Sequence, residues 1–235
     1  RAGYCQAPVI PGHEFVGTVA ALGPASAATH GLALGDRVVS EQIVPCNSCR
    51  YCRRGQYWMC QVHDIYGFRQ AAFGAMAEYV LLPANALNYK VPDAVPTEHA
   101  AYIEPLACAI HAVQRAQIEL DHTVAIAGCG PLGLGMVATA RLKNPRLLIA
   151  LDLDDRRLEI ARACGADLCI NPGKVDAVAA VHQLTDGYGC DVYIEATGHP
   201  TAVEQGLHMI CKLGTFVEFS VMREPVTVDW TIIGD

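Results

Sequence analysis

The sequence predicts an α/β protein in two parts, an irregular β-rich domain followed by a doubly wound parallel sheet. Three observations carry this. The first half breaks into short apolar or alternating runs separated by Gly and Pro. The second half alternates buried-strand runs with amphipathic helical segments, and its first strand runs straight into "GCGPLG", a glycine-rich turn of the kind that joins a strand to a helix.

In the first part, "VGTVAAL" (16–22), "DRVVS" (36–40) and "AEYVLLP" (77–83) read as strands between turn residues. From Thr97 to about Ile118 apolar residues recur at helical spacing behind a threonine suited to cap a helix, and Pro105 predicts a kink. After Asp121, "TVAIAG" (123–128), "LLIALD" (147–152), "DLCI" (167–170), "DVYIEAT" (191–197) and "TFVEFS" (215–220) predict buried strands. The segments between them, such as "DDRRLEIARACGA" (154–166), read as helical crossovers, which makes the sheet parallel. The expected domains are therefore 1–118 and 119–235. No repeat, charged tail or low-complexity linker interrupts them.

The chain has 235 residues, 52% of them hydrophobic and 17% charged, enough to bury a core and incompatible with disorder. A net charge of -7 without a basic stripe argues against nucleic acid as a partner. No leader-like apolar run follows a charged start, and no span of about 18 apolar residues occurs, so no membrane partner is expected. Eleven cysteines, an odd number, fit a disulfide framework poorly and a reducing cytoplasm well. The missing initiator Met and the apolar "TIIGD" at the end predict truncation at both ends.

Gly128, Gly130 and Gly133 have the G-x-G-x-x-G spacing, with a strand before, a helix after, and Asp152 closing the second strand. Such a turn lets backbone approach a pyrophosphate at a helix N-terminus. Pro131 and Leu132 fall inside the same turn. Asp152 suits the adenosine ribose hydroxyls and repels a 2′-phosphate, which favours NAD over NADP; Arg156 and Arg157 nearby weigh the other way, opposed by Asp154 and Asp155. Arg157 and Thr197, the latter at the end of the fourth strand with Gly198, complete the expected cofactor neighbours. The alternative is a flavodoxin-like sheet with a purely structural glycine turn.

Cys46, Cys49, Cys52 and Cys60 have the pattern C-x2-C-x2-C-x7-C, short spacings that let thiolates wrap one tetrahedral ion. Four sulfur ligands leave no position for substrate, so the site is structural. Zinc is favoured: the usual iron–sulfur spacings do not match, and Arg50, Arg53 and Arg54 offset the charge of a zinc tetrathiolate; a reactive redox pair is the other alternative. Gly12-His13-Glu14 puts an imidazole beside a carboxylate, which taken alone is more often a surface pair than a metal site. The remaining histidines show no ligand spacing, and Cys5 and the other cysteines read as bystanders or small buried thiols.

The succession "GHEFVGTVAALG", "GDRV", the clustered cysteines, "FGAMAEYVLLP", "IEPLACAIHAV" and "GCGPLGLG" resembles the zinc-dependent medium-chain dehydrogenases over nearly the whole chain. "IEPLA", "IEATGHP" and "VTVDWTIIGD" are most similar to the polyol dehydrogenases of sorbitol, xylitol or threitol type, with threonine dehydrogenases close behind. The resemblance implies a GroES-like catalytic domain and a Rossmann domain, both partial here, and a homo-oligomeric whole enzyme, a dimer or tetramer. It implies that His13 binds a catalytic zinc, that Glu14 binds it or stands close behind, and that Glu104 contacts it directly or through water. The family's first zinc cysteine and its proton relay are expected upstream of Arg1; Cys5 lies too near His13 to replace that cysteine. The implied reaction is hydride transfer from a secondary alcohol of a polyol to NAD. An L-threonine 3-dehydrogenase, or a catalytically incomplete zinc- and nucleotide-binding fragment, are the alternatives.

Overall fold

The computed structural model describes residue 5 and residues 7–233, so the last two residues of "VTVDWTIIGD" lie outside the described part. The chain forms two compact units, Arg1–Glu104 and Pro105–Asp235. The first contains β1 (Gly17–Thr18), α1 (Ser26–His30), β2 (Arg37–Ser40), β3 (Ile43–Val44), α2 (Arg50–Arg53), β4 (Asp64–Ile65), β5 (Asn88–Lys90) and α3 (Thr97–Ala100). β1, β2 and β5 make an antiparallel sheet in that order, and β3 pairs antiparallel with β4. The frequent Gly and Pro keep every strand short, so the unit is held by several small clusters rather than one core. Val19, Leu32 and Val38 form one, Val44, Tyr66, Ala72 and Ala86 another, and Ile43, Cys60 and Ile65 a third.

Two expectations are corrected here. "AEYVLLP" forms no strand: Tyr79 and Leu81 are 78% and 84% exposed, and only Leu82 turns into neighbouring clusters. The row beside β2 is filled instead by the short β5, and extended backbone without a partner row is not a strand. Pro105 makes no kink, because it is the third residue of α4 (Ile103–Arg115), in the first turn where its missing N–H has no intrahelical partner to lose. The break falls earlier, between α3 and α4.

The second unit continues with β6 (Thr123–Ala127), α5 (Pro131–Arg141), β7 (Leu147–Leu151), α6 (Asp155–Ala163), β8 (Leu168–Ile170), α7 (Ala177–Leu184), β9 (Cys190–Glu195), α8 (Pro200–Met209) and β10 (Ile210–Glu218). The sheet order is β10-β9-β6-β7-β8 and every pairing is parallel. Because side chains alternate along a strand, Val124, Ile126, Leu148, Ala150, Val192 and Ile194 face one side and pack against α4, α5 and α6 through Ala112, Val113, Met136, Val137 and Leu158. Ala125, Ala127, Ile149, Leu151 and Tyr193 face the other and meet Ala177, Val181 and Met209 of α7 and α8. The chain moves outward from β6 to β8, then returns to β9 on the opposite flank of β6. That reversal opens a crevice beyond the carboxyl ends of the strands, where such sheets bind ligands. Among the described residues no helix is long and apolar enough to cross a membrane.

Candidate functional site

Cys46, Cys49, Cys52 and Cys60 bring their sulfur atoms within 4.8 Å of one another. Backbone amides fold the loop around them: Cys46 N donates to Cys60 Sγ at 3.3 Å, Cys49 N to Cys46 Sγ at 3.3 Å and Cys52 N to Cys49 Sγ at 3.5 Å. The sulfurs of Cys46 and Cys52 are 4.0 Å apart and those of Cys49 and Cys52 3.5 Å. These values bracket the edge of about 3.8 Å expected for a tetrahedron with 2.3 Å zinc–sulfur bonds. Hydrogen bonds from Ser48 pull the Cys46 thiol down to about 6, whereas burial pushes Cys52 up to about 12. The donor set fits a tetrahedral thiophilic ion, and a cation is what would draw the proton from all four sulfurs together.

His13, Glu14 and Glu104 form a second group whose ligand atoms also lie within 4.8 Å of one another, with His13 Nε2 3.9 Å from Glu14 Oε1. His13 is presented by a stretch pinned through its backbone. Gly74 N donates to Ile10 O at 2.7 Å, Met76 N to Pro11 O at 3.0 Å and Ala75 N to Gly12 O at 3.0 Å. Gly12 turns the chain with φ +99°, in the left-handed region, and a Cβ on Gly74 would fall 2.3 Å from the Pro11 carbonyl. Glu104 arrives from the first turn of α4. One imidazole and two carboxylates make a donor set that keeps coordination positions open, the pattern of a catalytic rather than a structural zinc. The side chains of His13 and Glu14 are 28% and 53% exposed, within reach of a small molecule.

In the second unit, a groove of about 990 Å³ runs past the carboxyl ends of β6, β7 and β9. Gly130, at the N-cap of α5, has open space where a Cβ would project, while a Cβ on Gly133 would meet Gly128 O at 1.8 Å and one on Gly128 would meet Ala196 O at 2.8 Å. Two glycines thus close the turn and the third leaves a cradle at a helix N-terminus whose N-cap has no side-chain cap, suited to a pyrophosphate. Asp152 accepts from Cys129 N at 2.7 Å and Asp154 N at 2.8 Å, so its carboxylate ties the glycine turn to the β7–α6 turn while bordering the groove. Arg157 Nη1 stands 3.9 Å from it. Glu195, fully buried, accepts from Thr197 N at 2.8 Å, from Thr197 Oγ1 and from Gly198 N at 3.1 Å, and so shapes the turn that carries Thr197 and His199 to the groove wall.

Residues 1–93 match the alcohol dehydrogenase GroES-like domain, and residues 131–234 match the zinc-binding dehydrogenase domain. The chain belongs to the zinc-dependent medium-chain dehydrogenase family. It is 55% identical to an erythritol/L-threitol dehydrogenase from Mycolicibacterium smegmatis, a match covering 100% of this chain and 65% of that relative. An L-threonine 3-dehydrogenase from Pyrococcus horikoshii is 38% identical over 95% of this chain and 62% of its own length. Among solved structures, a zinc-binding dehydrogenase from Sinorhizobium meliloti bound to NADP superposes with a TM-score of 0.88 at 31% identity, covering 97% of this chain and 66% of that one. The chain thus spans about two thirds of the length of these dehydrogenases.

Gly130, Asp152, Arg157 and Thr197 line the groove. Gly128 and Gly133 pack against each other, Leu132 packs on the core cluster, and Pro131 opens α5. Cys5 is exposed and outside both donor sets. Two residues had no functional signal in the motif reading. His199, read from sequence as structural, borders the groove and caps α8 by accepting from Thr201 N at 3.3 Å. Glu195 was hidden inside "IEAT", although a lone carboxylate in an otherwise apolar strand is itself a signal, because burying one requires hydrogen-bond partners.

Proposed function

We propose that this chain is the metal- and cofactor-carrying part of an NAD-dependent zinc dehydrogenase that oxidises a secondary alcohol of a small polyol, a four-carbon sugar alcohol first among them. The observation that carries the reading is the pairing of an open His13–Glu14–Glu104 donor set with a glycine-turned groove, in a chain 55% identical to an erythritol/L-threitol dehydrogenase. When bound, zinc lowers the pKa of an alcohol hydroxyl and the nicotinamide accepts a hydride.

The chain's own residues do the rest. His13, Glu14 and Glu104 hold the metal, while Cys46, Cys49, Cys52 and Cys60 hold a structural ion that stiffens their loop. Gly130 admits the pyrophosphate, Asp152 receives the adenosine ribose hydroxyls, and Arg157, Thr197 and His199 border the cofactor. The preference for NAD rests on Asp152, whose charge opposes a 2′-phosphate; Arg157, 3.9 Å away, offsets part of it. We place the enzyme in the cytoplasm on its eleven cysteines, an odd number that fits a disulfide framework poorly, and as a homo-oligomer on the family resemblance.

The test is NAD reduction by the full-length protein, with zinc, across erythritol, L-threitol, sorbitol, xylitol, L-threonine and a simple secondary alcohol. The reading expects the highest kcat/KM for a tetritol, and with NAD over NADP. A preference for L-threonine would favour the second relative's activity, and no reduction with any of them would overturn the proposal.

A further inference from the structure

One side chain of the first unit packs beside His13 of one donor set and on the cluster that contains Cys60 of the other. The Phe68 ring lies 5.5 Å from the His13 imidazole, centroid to centroid, tilted by 56°. The same ring packs on the cluster of Ile43, Cys60 and Ile65, which also receives the other three clustered cysteines. Its backbone is tied to that cluster, because Phe68 N donates to Ile65 O at 3.1 Å, and Ile65 pairs with Ile43 across β3 and β4. The preceding residue touches the other side: Gly67, with φ +79°, lies so close to Gly12 that a Cβ on it would fall 2.6 Å from Gly12 N. A movement of the cysteine loop is therefore a movement of the wall against which His13 rests, and packed interiors pass on such shifts rather than absorb them.

We propose that Phe68 is a positioning residue that couples the four-cysteine site to His13, so that the ion held by the thiolates sets the affinity and geometry of the His13–Glu14–Glu104 site. This rests on the metal reading above. Hydrogen-bonded partners that orient a metal-ligating imidazole are worth roughly 10- to 100-fold in metal affinity; an aromatic wall fixes the ring plane without a hydrogen bond to the imidazole, so its effect belongs at the low end, about tenfold.

The test uses the full-length protein with Zn²⁺, which has no d–d bands, in the thiolate site and Co²⁺ in the His13 site, so that the d–d bands report the His13 site alone. Phe68→Ala is expected to weaken Co²⁺ at the His13 site about tenfold and to shift its d–d bands, with the zinc content of the thiolate site and the circular dichroism unchanged; Phe68→Tyr is expected to restore both. Cys60→Ser is expected to weaken the His13 site in the parent chain but to add nothing in the Phe68→Ala background, the non-additivity that marks coupled residues. If Cys60→Ser fails to fold, Cd²⁺ in the thiolate site replaces it, and is expected to shift the d–d bands of the parent but not of Phe68→Ala. Unchanged affinity in Phe68→Ala, or additive effects, would overturn the coupling. If the parent chain binds no second ion, the metal reading itself falls and takes the coupling with it.

Discussion

Single residues decide the site more sharply than any composition does. Gly133→Ala puts a methyl group 1.8 Å from Gly128 O, a contact that only backbone movement relieves. We expect it to abolish NADH binding, read by fluorescence, and to lower the thermal midpoint, since overpacking costs about 1–3 kcal/mol. Asp152→Asn keeps an acceptor for one amide but presents an N–H₂ where Cys129 N or Asp154 N donates. Its affinity for NAD should fall about tenfold, the scale of one lost charge-assisted hydrogen bond, and its discrimination against NADP should narrow in parallel titrations. Asp36 supports the scaffold: Lys90 pairs with it at 2.6 Å and, with a bond from Ala33 N, holds its carboxyl below the ordinary value of 3.8. A depressed carboxyl stabilises the fold above its unfolded-state pKa and loses that contribution as pH falls through the folded one. Asp36→Asn should therefore melt below the parent at pH 7, and the gap should narrow progressively as melts are carried out at pH values further below 3.8.

At the scale of elements, what was legible depended on whether the signal was local. The strand–turn–helix around Gly128 to Gly133 and the alternation of β6, β7 and β9 are written in neighbouring residues, and the structure follows them. "AEYVLLP" carries the same apolar texture, yet whether it becomes a strand depends on a partner row supplied from elsewhere, and β5 occupies that row. Pro105 is a kink or an ordinary first-turn residue according to where α4 begins, one or two residues that periodicity does not resolve. The clustered cysteines were readable because their spacing encodes the geometry, whereas the meeting of Glu104 with His13 joins positions far apart in sequence and was legible only through family resemblance. The cysteine lobe yields its own prediction. With so little apolar burial of its own beyond Ile43, Cys60 and Ile65, it depends on its ion, so removing metal with a strong chelator should expose residues 46–60 to limited proteolysis while β6 to β9 stay resistant. Cleavage that is unchanged by the chelator would argue against a structural ion there.

For the whole molecule, the apolar clusters around Val44 and Ile43 lie in the first unit and the two faces of the parallel sheet in the second. NAD should raise the thermal midpoint by mass action, about 2.7 kcal/mol at a hundredfold excess over Kd, and zinc should raise it likewise. Calorimetry with each ligand alone checks this, and a transition unchanged by either would contradict it. The proposed function is direct hydride transfer from a polyol carbinol to NAD. The most direct measurement follows deuterium from carbinol-labelled L-threitol or erythritol in the full-length enzyme. The account predicts one deuterium per turnover on the nicotinamide C4 of NADH and none acquired from deuterated water; NADH that forms without the label, or no NADH with both metals bound, would contradict it.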